Sequence, residues 1–152
     1  MQVVPFETLI DESVAEVLES MCFTSSEPTD ASPEQEGADW IHRRLEFNGP
    51  EKGSFGVRAS LPTARMIACN LLALEPEELT DQQAGESMGE IANMVCGAVL
   101  CRFETKLAFN LSQPKPDVAV SSENPSPNGR VSRMFSLEEG MLIAWLEIEQ
   151  GK

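Results

Sequence analysis

The sequence predicts an α+β fold, because two kinds of hydrophobic periodicity occur along one chain of 152 residues. Three segments repeat apolar residues every three or four positions, as helices with one buried face do. Two others alternate them every second position on either side of a turn, as β-hairpins do. The 41% hydrophobic and 24% charged residues suit a folded chain, read here as one domain over 1–152.

The first helix is marked by Phe6, Leu9, Ile10, Val14, Val17, Leu18 and Met21 on one side and Glu7, Asp11, Glu12, Glu16 and Glu19 on the other. Pro5 suits its start, and early acids complement the helix dipole. Ser25 to Asp39, rich in Pro, Ser and acids, has no period and reads as a loop. Trp40 to Phe47 alternates, NGPEKGS turns the chain, and Phe55, Val57, Ala59 and Leu61 alternate again. That is the first hairpin, with Arg43 interrupting the apolar side formed by Ile41, Leu45 and Phe47.

Pro62 and Thr63 open a second helix with Ala64, Ile67, Ala68, Leu71 and Leu74 on its apolar side. Its predicted end is Glu75, because Pro76 disfavours helical geometry in the residue before it. Thr80 is placed to cap a third and longest helix, Asp81 to Phe103. Lys106 to Ser112 alternates as a strand, and the following stretch reads as loop with a short strand at Val118 to Val120. Arg130 to Leu137, a Glu-Glu-Gly turn and Met141 to Glu149 make the second hairpin. Its last strand is apolar on both sides. Leu142, Ala144, Leu146 and Ile148 oppose Ile143 and Trp145, which predicts cover by helices or a subunit contact.

The formal charge of −14 argues against nucleic acid and anionic membranes as partners. No apolar run approaches the roughly 18 residues of a membrane span, and the N-terminus lacks the basic region of a signal peptide. Cys22, Cys69, Cys96 and Cys101 lack metal-site or disulfide-scaffold spacing, and reduced thiols of a cytoplasmic protein account for them, mostly as small core residues. With His42 as the one histidine, a multi-histidine metal site is impossible. His42 itself reads as a surface residue of a strand, and Glu75, Glu77 and Glu78 as a solvated turn. Phosphate-binding glycine loops and the G-x-S-x-G elbow are absent. No cofactor of the chain's own is expected.

The third helix carries the residues that composition does not explain. Ala84, Met88, Ile91, Val95 and Val99 form its core stripe, while Glu86, Glu90, Asn93 and Gly97 form a second line on another face. Gly97 in mid-helix costs about 1 kcal/mol relative to alanine, which calls for a packing reason or for access beside Asn93. Gly85 and Gly89 add to that cost and suggest close packing by another helix. An amide can hold a water in a defined direction, and a carboxylate can dock a lysine. Phosphoryl transfer to water needs mainly in-line positioning and charge balance. Glu90 and Asn93 are therefore competent to assist such a transfer if metal and cation come from elsewhere. On spacing alone, ordinary helix polarity is the better account.

Wider context shifts that balance. GEIANMVCG, Gly89 to Gly97, resembles the signature helix of the chemotaxis phosphatase family of CheC, CheX and FliY, with its E-x-x-N, apolar pair and glycine. FETLIDESVAEVLESM looks like the first helix of the CheX branch, and FGVRASLPTARMIACNLLALEPEELTD like its strand, Pro-started helix and acidic connector. Of the chain's glutamates only Glu90 is followed three residues on by asparagine, which matches the one-site pattern of CheX rather than the two sites of CheC. The chain departs from many relatives in having Ala98 after the glycine. The resemblance implies a CheC-like α/β sandwich, a central sheet packed by long helices and dimerising through the sheet. It implies a cytoplasmic two-component phosphatase acting on the aspartyl phosphate of a CheY-type receiver domain. Asn93 would orient the attacking water, Glu90 would meet the receiver's lysine, and Mg2+ would belong to the receiver. The alternative is a non-catalytic adaptor that binds receivers or flagellar-switch proteins through the same helix.

Overall fold

The structure, a computed structural model, describes residues 5–29, 40–49, 52–103, 109–116, 130–138 and 140–148. Helix α1 covers Phe6–Cys22, α2 Leu61–Leu72 and α3 Asp81–Phe103. Strands β1 to β7 are Glu27–Pro28, Trp40–Asn48, Gly53–Ser60, Asn110–Leu111, Lys115–Pro116, Arg130–Ser136 and Met141–Ile148. They form one antiparallel sheet ordered β1-β6-β7-β3-β2-β4, with β5 also on β2. The expected α+β architecture, a central sheet packed by long helices, is what the chain adopts.

Alternation in the hairpins decides which way each side chain faces. Leu45 and Phe47 of β2, Phe55, Val57 and Ala59 of β3, Phe135 of β6 and Leu142, Ala144 and Leu146 of β7 are buried in one cluster with the apolar stripes of all three helices. The helices thus cover one face of the sheet. Ile143 and Trp145 point to the other face yet are only 5% and 6% exposed in the single chain, and the Trp145 indole lies over Gly56 where a Cβ would not fit. No helix is needed over them, and their apolar character is not by itself a sign of a second subunit.

Both shorter helices end the same way. Phe23 (φ 55) and Ala73 (φ 59) take left-handed geometry, and the amides of Thr24 and Leu74 bond back to the carbonyls of Leu18 and Cys69 at 3.1 Å. The Leu74 bond, and on α1 the bond from the Phe23 amide to the same Leu18 carbonyl, are six-to-one closures that satisfy carbonyls helix ends leave open. The closure at Leu74 also stops α2 at Leu72, three residues before the predicted Glu75, so Leu74 packs on the core from beyond the helix. Leu61 begins α2 instead of closing β3. In α1 the buried position near the end belongs to Cys22, while Met21, expected on the apolar side, is exposed.

The stretch predicted as loop from Ser25 contains β1, held on β6 by pairing of Glu27 with Ser136 and Pro28 with Phe135; residues 30–39 lie outside the described residues. Of the strand expected at Lys106 to Ser112, Asn110 and Leu111 pair with β2, and 106–108 lie outside the described residues, as does the short strand expected at Val118 to Val120. β5 arises in a segment expected to be loop, because Lys115 and Pro116 align with Arg44 and Arg43. The second hairpin closes through Gly140 (φ 83), whose carbonyl accepts from the Leu137 amide at 3.0 Å.

Candidate functional site

Helix α3 is fastened at both ends. At its start Thr80 Oγ1 accepts from the Gln83 amide at 3.0 Å and the Thr80 amide donates to Gln83 Oε1 at 2.9 Å, a reciprocal cap. Arg65 of α2 reaches the same end, donating to Asp81 Oδ1 at 2.6 Å and to the carbonyls of Pro76 and Leu79 at 3.0 and 3.1 Å. At the other end Arg102 donates to Glu16 Oε1 at 2.6 Å, with Glu12 at 3.7 Å, and the rings of Phe6 and Phe103 lie 5.1 Å apart. These contacts seat the end of α3 against α1.

Between these fastenings the predicted stripe Ala84, Met88, Ile91, Val95 and Val99 is fully buried, together with Ala92 and Cys96. The second line faces outward. Glu86 and Glu90 are exposed, and Asn93 and Gly97 are half-buried. A Cβ placed on Gly97 would meet nothing within 4 Å, so the surface beside Asn93 is open. Glu90 and Asn93 leave one face of the helix a turn apart, with Cβ atoms at about 5–6 Å by helix geometry. Neither side chain has a partner in hydrogen bonding or ion pairing among the described residues. An amide and a carboxylate held this way on a rigid helix can offer a water-orienting group and a cation acceptor to something that arrives from outside.

Two glycines of this helix lie against Arg43 and Pro114. Gly85 and Gly89, expected to admit another helix, instead face the β2 edge of the sheet. A Cβ on Gly85 would collide with Nη2 of Arg43, and one on Gly89 would lie 3.2 Å from Cβ of Pro114. Arg43, which interrupted the predicted inner face of β2, does face inward, opposite Val57. Its Nη1 donates to the His42 carbonyl at 2.8 Å. Burial pulls its pKa below the usual arginine value, and Glu86 opposes that shift. Glu86, read from the sequence as one more member of the polar line, accepts from Gln82 Nε2 at 3.3 Å.

The other candidates resolve simply. Burial raises the Cys96 thiol to about 12 and the Cys22 thiol to about 11, making both unreactive core residues. Cys69 is half-buried and Cys101 exposed, so the core reading holds for two of the four. Glu75 and Glu78 cap a 3-10 turn at Pro76–Glu78, with the Glu75 amide donating to Glu78 Oε1 at 2.9 Å. His42 is half-buried on the outer face of β2, opposite Arg58. Among the described residues no three His, Cys, Asp or Glu side chains converge as metal ligands, and no helix is long and apolar enough to cross a membrane.

A family model described as chemotaxis phosphatase CheX matches residues 43–124, which include Glu90, Asn93 and Gly97. No curated protein sequence matches the chain. Among solved structures, a chemotaxis protein CheX from Vibrio vulnificus superposes with a TM-score of 0.74 at 20% identity, covering 98% of this chain and 100% of that one. CheX from Desulfovibrio desulfuricans gives 0.73 at 16% identity over 96% and 100%. CheX from Borrelia burgdorferi, solved in complex with CheY, BeF3 and Mg, gives 0.71 at 16% identity over 97% and 100%. At these identities the structures show a shared fold, and the family match is independent of them.

Proposed function

The chain belongs to the CheX family of chemotaxis phosphatases, and on that premise we propose that it hydrolyses the aspartyl phosphate of a CheY-type receiver domain. Asn93 enters the receiver's site and orients a water in line with the acyl phosphate. The water oxygen bonds to phosphorus as the bond to the aspartyl oxygen breaks, leaving a free carboxylate, inorganic phosphate and a proton. Glu90 accepts hydrogen bonds from the receiver's lysine and sets the register of the complex. Mg2+ is held by the receiver, and the chain contributes position and direction rather than a metal. The observation that carries this reading is the open strip on α3, where Glu90 and Asn93 stand unengaged beside the space at Gly97.

A protein of charge −14 meets an acidic phosphorylated pocket only if attraction is local. Glu90 finding one cation supplies that attraction. The same reading places the protein in the cytoplasm as a homodimer formed through the sheet. β1 covers only the Phe135–Ser136 end of β6, and no strand lies beside the 130–132 length of that edge among the described residues. An uncovered edge of this kind is a template for pairing.

Decay of phosphorylated receivers tests the proposal. Wild-type protein accelerates it, Asn93→Ala loses roughly a hundredfold or more of that acceleration, and Glu90→Ala weakens the complex. Binding without any acceleration by the wild type would make the chain an adaptor. Unchanged affinity in Glu90→Ala would remove the docking role.

A further inference from the structure

Helix α2 is apolar on two sides. Thr63, Ala64, Ile67 and Ala68 are buried against the fold, as one face of a surface helix must be. Met66 and Cys69 leave it on another side, where with Leu61, Leu74 and Pro76 they line an open cleft of about 680 Å3. The walls of this cleft are fixed from within the chain. The Leu74 amide bonds back to the Cys69 carbonyl at 3.1 Å, and Arg65 holds the Pro76 carbonyl at 3.0 Å. A cleft set before a partner arrives loses little conformational freedom on binding. Its lining also offers an amide, because Asn70 Nδ2 has only a weak sulfur contact, to Met66 Sδ at 3.6 Å.

Charge decides what fits there. Arg65, the cation of the lining, is committed to Asp81 and to the carbonyls of Pro76 and Leu79. Glu75 lies in the lining, Glu77 and Glu78 follow it, and all three are exposed. Glu75 and Glu78 accept backbone amides of their own turn, which orients the two carboxylates without neutralising them. None of the three has an ion pair among the described residues.

We propose that this cleft docks an amphipathic basic helix of a second protein. Aliphatic side chains of that helix enter between Met66, Cys69 and Leu74, and its lysines or arginines face Glu75, Glu77 and Glu78. The lining residues 61 to 70 of α2 span about 13–14 Å along the axis, enough for two to three turns of a partner laid beside them. An acidic partner would set its carboxylates against three others. Glu90 lies nine residues beyond Asp81 on α3, about 13–14 Å along that helix, so this surface is separate from the receiver site and its existence does not depend on the phosphatase reading.

The test follows backbone amide resonances of the isotope-labelled full chain while a defined probe is added. The probe is a synthetic helix of about four turns with leucine at helical spacing on one side and lysine on the others. Saturable shifts are expected at Met66, Cys69, Asn70 and Leu74. Met66→Glu, which puts a charge into the cleft, weakens binding roughly tenfold or more. Glu77→Lys weakens it roughly threefold to tenfold, and that difference shrinks at high salt. Glu77 is exposed, so this second variant keeps the test open should Met66→Glu unfold. The same peptide with glutamate in place of lysine does not bind. The proposal is overturned by shifts centred on Glu90, Asn93 and Gly97 instead of the cleft, by equal affinity for the two peptides, by unchanged affinity in Glu77→Lys, or by no saturable shift at all. None of these results bears on receiver decay, which tests the phosphatase reading separately.

Discussion

Helices α1 and α3 are built alike and used differently. Both press an apolar stripe onto the same face of the sheet, and both carry acids on the opposite side. On α1 three of those acids are engaged within the chain. Asp11 receives Arg133 through both oxygens at 2.8 Å, and Glu12 and Glu16 share Arg102. On α3 Glu90 has no partner among the described residues, with an amide one turn on and open space beyond it. The contrast teaches that a carboxylate becomes a candidate for recognition when the fold leaves it uncommitted. The presence of acids on an exposed helix face does not by itself distinguish the two helices.

The sharpest way to break the contrast is to fill the open space. Gly97→Leu adds bulk where nothing stands within 4 Å, so the fold accepts it and the partner does not. Receiver decay should lose roughly tenfold or more of its acceleration. Thermal unfolding should move up, since replacing a mid-helix glycine gains about 0.5–1 kcal/mol. Loss of activity together with loss of stability would mean that Gly97 serves packing instead of access.

A second variant addresses the engaged side. Asp11→Ala leaves Arg133 without its bidentate partner at a site where the two side chains are 25% and 29% exposed. The expected cost is about 1–2 kcal/mol in urea unfolding, with receiver decay unchanged. Glu90→Gln, by contrast, should leave unfolding within about 0.5 kcal/mol of the wild type. Equal stability effects from the two would erase the distinction between engaged and unengaged carboxylates. The smallest effect is expected from Glu19→Asn, which creates the E-x-x-N spacing on α1 at Glu16. Because Arg102 already holds Glu16 at 2.6 Å, no new receiver affinity should appear in a titration on an Asn93→Ala background.

The contrast also marks what could be read from the residues alone. The bounds of α3 and its stripe were legible because the helical period runs uninterrupted from Ala84 to Val99 and Thr80 and Gln83 cap it locally. Both hairpins were legible for the matching reason at period two. The end of α2 was not, since Ala73 adopts left-handed geometry without the glycine that normally signals it. β1 and β5 are two residues each and exist through distant partners, β6 and β2, which no local pattern encodes. Glu90 and Asn93 were visible by spacing and by family likeness. Arg43 showed only as a flaw in an apolar strand, because its meaning depends on Gly85 lying across from it in space.

The division of α3 into a buried arc and an open arc has a consequence for descent. Glu86, Glu90, Gly97 and Cys101 lie on the open side and none belongs to the core cluster. Substitutions there can accumulate with little effect on folding, so the open arc can change while the scaffold stays under separate selection. Lineages that duplicate such a gene could specialise the two copies by changing a handful of positions on one helix.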